Sequence, residues 1–205
     1  MNAANIGIPI AVYVLGDASI VAPVILFQLL VMTPLAFTVL ETAGGGPRRS
    51  LARVVVRPLT NPVTVACALG VTCALTGWLP PGPVLRPVEL VAPMAVPTAL
   101  LAYGLSLAGA PRPASGVTGP DVRLAVVLKA VVQPLVAYLV ARYALGLPQP
   151  AVLAGTVTAA LPTAQNVFVY AARYDRGVVL ARDAVLLSTA VAAPVLVGVA
   201  LLAAP

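Results

Sequence analysis

Long apolar runs separated by short polar turns make up most of this sequence. Residues 18–40, 61–79, 88–109, 122–145 and 184–204 are each long enough to span a bilayer core, which takes about 20 helical residues. Two other runs are too short. Residues 6–15 supply about half a crossing, and residues 151–160 stop at Leu161-Pro162-Thr163-Ala164-Gln165-Asn166, which is polar where a membrane helix should be apolar. Proline removes a backbone donor and clashes one turn back, so the helix is predicted to break at Pro162 and resume towards Arg173. Asn2-Ala3-Ala4-Asn5-Ile6-Gly7-Ile8-Pro9 repeats the pattern of amides beside a proline in an apolar stretch, predicting a second break at Pro9. Two broken helices far apart in sequence point to one substrate site near the bilayer midplane.

The pattern predicts an all-α membrane protein with about seven transmembrane segments, the first one partial. Three stretches organise it: residues 1–41 hold a half-helix and one span, 42–57 form a Gly- and Arg-rich linker, and 58–205 carry the remaining segments. Composition agrees, with 60% hydrophobic and 9% charged residues against about 25% charged in soluble domains. No residue resembling a signal-peptide cleavage site follows the first run, and no basic residue precedes it.

Charge placement then gives an orientation. Arg48, Arg49, Arg53, Arg57, Arg112, Arg123, Arg173, Arg176 and Arg182 fall on turns of one side, against Arg86 and Arg142 on the other. The richer side is expected to be cytoplasmic, which leaves the C-terminus outside the plasma membrane. The net charge of +6 is therefore read as membrane topology. It is not read as a nucleic-acid surface, because almost no aromatics accompany the arginines. Lys129 is left inside a span, about two turns from its cytoplasmic end, and is expected to snorkel to that surface. The six acids, Asp17, Glu41, Glu89, Asp121, Asp175 and Asp183, are all expected near span ends, so no carboxylate proton relay is visible.

Enzyme chemistry is not expected. The chain has no histidine, which excludes histidine-dependent nucleophile systems and the commonest metal ligand. Cys67 and Cys73 sit about 240° apart on one helix and cannot bridge. No cofactor is expected. The partners expected are the lipid bilayer, a small organic anion and, where one chain does not complete the site, a second copy in a homodimer.

The predicted chemistry lies at the breaks. A proline opening a new half-helix leaves the next amides without intrahelical acceptors: Thr163, Ala164 and Gln165 after Pro162, and Ile10, Ala11 and Val12 after Pro9. Free amides and the positive dipole end of a half-helix favour an anion such as a carboxylate. Asn2, Asn5, Thr163, Gln165 and Asn166 add neutral hydrogen bonds, and Tyr170 lies two turns beyond Pro162. Each amide has a plainer reading, in which it satisfies backbone groups freed at the break; Tyr170 is equally a packing residue.

Three motifs carry a family resemblance. Asn2-Ala3-Ala4-Asn5-Ile6-Gly7-Ile8-Pro9 resembles the Asn-x-x-x-x-Gly-Ile-Pro crossover motif of the auxin efflux carrier family. The stretch LPTAQNVFVYAARYD resembles that family's other crossover helix, and VPTALLAYGLSLAG is similar to a span between them. The resemblance implies ten helices in two inverted five-helix repeats with two crossed broken helices, acting as a secondary carrier of small organic anions by alternating access. It places Asn2, Asn5, Gly7, Pro9, Pro162, Thr163, Gln165, Asn166 and Tyr170 at the substrate site. It also implies a bacterial-type member that begins inside the fourth helix and is N-terminally truncated. A sodium and bile-acid carrier-like transporter is the alternative within transport, and a truncated, non-transporting membrane remnant is the alternative outside it.

Overall fold

The computed structural model describes residues 1–42 and 62–203. The linker expected at 42–57, with its four arginines, lies almost wholly outside the described residues. Among them every regular element is helical. We label these α1 (Ala3–Leu15), α2 (Ala18–Leu40), α3 (Pro62–Thr76), α4 (Gly82–Leu107), α5 (Gly119–Ala144), α6 (Gln149–Ala160), α7 (Asn166–Tyr174) and α8 (Val178–Ala203). Four of them, α2, α4, α5 and α8, are long and apolar enough to cross a membrane. Their large apolar side chains face outward: Leu75 on α3, Leu90 on α4 and Leu201 on α8 are all more than three-quarters exposed. A helix that is apolar all round and still exposed is suited to lipid rather than to water.

Prolines shape these helices without cutting most of them. A π-helical turn, Gln28–Met32, precedes Pro34, and another, Leu128–Val132, precedes Pro134. Widening the turn ahead of a proline relieves the clash with the carbonyl one turn back. Around Pro93 the chain tightens instead into a 3-10 turn, Ala92–Met94. The same adaptation corrects the expectation at Pro9. The helix runs through it, with π turns at Ala3–Gly7 and Ala11–Leu15 on either side, and no new half-helix begins there. Gly16 ends α1 in the left-handed conformation, at φ 77°, which favours a residue without Cβ. Asp17 then caps α2: its carboxylate accepts from the Ser19 hydroxyl at 2.7 Å and the Ser19 amide at 2.8 Å. These bonds hold the Asp17 carboxyl below its ordinary range, the hydroxyl first and the amide second.

The chain forms two compact units, Met1–Pro23 with Ala102–Pro205, and Val24–Leu101. In the second unit α3 packs against the Gln28–Met32 turn of α2. The first unit carries the broken helix and the better buried core. There α6 packs on α5 and α8, and α7 packs on α8. Tyr103, Phe168, Ala171, Ala181 and Val185 form its cluster, the Tyr103 and Phe168 rings meeting edge to face at 5.4 Å.

The last span starts earlier than its apolar pattern suggests, at Val178 instead of 184, and so takes Arg182 and Asp183 into the helix. Asp183 is therefore no solvated end residue: it is buried, and its carboxylate accepts from Arg182 Nε at 2.8 Å and from the Ala114 amide at 3.1 Å. Pairing two adjacent opposite charges and tying in the loop before α5 makes their burial affordable.

Candidate functional site

The break between α6 and α7 is built as the sequence requires at one end and differently at the other. Helix α6 stops at Ala160, and Leu161 turns the chain to an extended conformation, φ −56° and ψ 142°, as a residue before proline prefers. Pro162 does not open the next half-helix. It lies inside an extended stretch, and α7 begins four residues later at Asn166, after the N-cap Gln165. The unpaired amides shift accordingly. Thr163 donates its amide to the buried Ser188 Oγ of α8 at 3.1 Å, while the amides of Ala164, Gln165 and Asn166 have no acceptor among the described residues. Three consecutive free donors thus stand at the positive end of α7.

The start of α1 docks against this break. The Asn2 amide donates to the Pro162 carbonyl at 2.7 Å, and the Asn2 side chain accepts from the Asn5 amide at 3.3 Å, capping α1. The Asn2 carbonyl also accepts from Gly7 at 3.0 Å, so the backbone groups and the side-chain oxygen of this buried residue are engaged in structure. Asn5 is exposed, and its Nδ2 reaches Gln165 Oε1 at 3.5 Å. That is the long limit of a hydrogen bond and leaves both amides free to bind something else. Gly7 is a packing requirement: a Cβ there would stand 2.8 Å from Leu161 Cδ1.

The nine residues expected at the site therefore divide. Asn2, Asn5, Gly7, Pro162 and Gln165 are brought together, with Thr163 anchored beside them. Pro9 is exposed within α1, Asn166 is exposed at the first position of α7, and Tyr170 is half-buried one turn further along.

Sequence reasoning missed Ser188 and the packing of Leu161 against Gly7, and misread Lys129. Lys129 does not snorkel away. Its Nζ donates to the Ala159 carbonyl in the last turn of α6 and to Gln133 Oε1, each at 2.8 Å. An orphan carbonyl at a helix C-terminus attracts a cation, and Gln133 stands one turn after Lys129 on the same face of α5. The pairing of a lysine and a glutamine four apart in an apolar run was the signal available in the sequence. Nothing in the sequence singled out Ser188 from other small residues.

Apolar helices with lipid-suited surfaces, and a broken helix whose polar gap is lined by amides, define an integral membrane protein of the transporter class. A model of the membrane transport protein family, the family of the auxin efflux carriers, matches residues 46–199. The chain belongs to this family. The match covers the α6–α7 break and begins after α1. No curated protein and no solved structure matches the chain.

Proposed function

We propose that this protein is a secondary transporter of small organic anions, monocarboxylates or dicarboxylates, working by alternating access around the broken helix α6–α7 and the start of α1 that docks on it. The observation that carries this reading is the run of three unpaired backbone donors, Ala164 to Asn166, at the start of α7 in an apolar chain. Unpaired backbone donors at membrane depth are tolerated where they line a cavity or meet a ligand, and donors of this kind fit an anion. The exposed amides of Asn5 and Asn166, with Gln165, add neutral hydrogen bonds that suit carboxylate oxygens. The frame for this action is the ten-helix inverted repeat, placed in the plasma membrane with the C-terminus outside and the Arg-rich turns in the cytoplasm.

The test is anion flux in proteoliposomes. Replacing Asn5 or Asn166 with Leu removes hydrogen bonds worth about 0.5–1.5 kcal/mol each, or more where a charged ligand is left unpaired. The expected result is a KM raised several-fold for carboxylates in each variant. Unchanged flux in both would assign these amides to structure alone.

A further inference from the structure

Lys129 lies ten residues into α5, about 15 Å along its axis from Gly119 and about 9 Å beyond Arg123, and so within the apolar run of the span. No carboxylate lies within ion-pair distance of it among the described residues, where the one ion pair is Arg182 with Asp183. A buried ammonium is costly unless something compensates it. Here the compensation is the Ala159 carbonyl at the negative end of α6, assisted by Gln133. The third ammonium proton has no acceptor among the described residues.

The break thus has two polar ends. The C-terminal turn of α6 presents carbonyls, the ligands a small metal cation would choose. The N-terminal turn of α7 presents amides, which suit an anion. In this chain the carbonyl end is already engaged by the protein's own cation. We propose that Lys129 is the fixed counter-charge of the transport site: it occupies the place of a co-transported cation at the end of α6 and neutralises the carboxylate bound at the start of α7. The proposal rests on the anion-transport reading above. It adds that the anion needs no sodium or potassium to bind, because the neutralising charge is covalently part of α5.

Substituting Lys129 separates this from a merely structural lysine. The full chain in proteoliposomes is assayed for carboxylate uptake with sodium, potassium or choline as the only external cation. Wild-type uptake is expected to be the same in all three. Lys129→Gln is expected to raise the carboxylate KM at least tenfold in choline, with sodium restoring part of the loss, and Lys129→Arg to stay within a few-fold of wild type. A second measurement needs no transport: thermal unfolding of the detergent-solubilised protein. There the wild-type midpoint is expected to ignore sodium, and that of Lys129→Gln to fall in choline and rise selectively with sodium. A sodium requirement in the wild type, or a Lys129→Gln variant indistinguishable from it in both KM and midpoint, would overturn the proposal. If the wild type moves no organic anion, the transport reading fails by itself, and the unfolding series still decides whether Lys129 fills a cation's place.

Discussion

Gly7→Val probes the contact between α1 and the α6–α7 break most directly. A Cβ at Gly7 meets Leu161 Cδ1 at 2.8 Å, closer than two carbons approach without one of them moving. Val21 Cγ1 and the Asn2 carbonyl, both at 3.6 Å, close off other directions for the two added methyls. Leu161 is 1% exposed and Val21 2%, so neither has open space to turn into. Overpacking of this kind costs about 1–3 kcal/mol. Valine recovers only a few tenths of a kcal/mol through better helix propensity than glycine. The net expected loss is about 1–2.5 kcal/mol in the unfolding free energy, read by denaturant titration in detergent. Leu161→Ala alone should cost about 2–5 kcal/mol through the cavity it leaves. Combined with Gly7→Val it removes the clashing atom, so the double variant should be more stable than the sum of the singles predicts, by about 1–2 kcal/mol. Additivity within about 0.5 kcal/mol would mean that α1 does not pack on the break as described.

Three further outcomes are expected. Ser188→Ala leaves the half-buried Thr163 amide without its acceptor and should lower stability by about 0.5–1.5 kcal/mol; an unchanged unfolding midpoint would show that Ser188 does not anchor the break. Asp183→Ala strands the buried Arg182 and the Ala114 amide, at about 3–5 kcal/mol, whereas replacing Arg182 and Asp183 together with Met and Leu should cost far less. Equal losses in the single and double variants would remove the pair from the argument. Single cysteines at Gly45 and Gly82, in a background lacking Cys67 and Cys73, should label from opposite sides of the membrane; labelling of both by an impermeant reagent added outside would overturn the orientation.

The sequence alone determined that the chain is helical and membrane-embedded, because length, apolarity and lack of charge over about 20 residues are local properties that any fold of the chain must respect. It also located the break at Leu161 and Pro162, where a proline and a run of amides interrupt an apolar stretch, although proline alone did not suffice: Ile8, Thr33 and Gln133, each before a proline, stay helical. Tertiary structure decided what local rules leave open. Pro9 and Pro162 carry the same local penalty, yet α1 absorbs its proline by widening its turns and α6 stops, with Ser188 waiting on α8 to take the freed Thr163 amide. The start of the last helix moved for a similar reason: Arg182 and Asp183 read as a polar turn until a partner loop, through Ala114, makes their burial tolerable. Lys129 shows the limit most clearly. Its depth followed from the sequence, but the direction of a long flexible side chain depends on which acceptors are nearby. The carbonyl that captures it belongs to Ala159, thirty residues away on another helix.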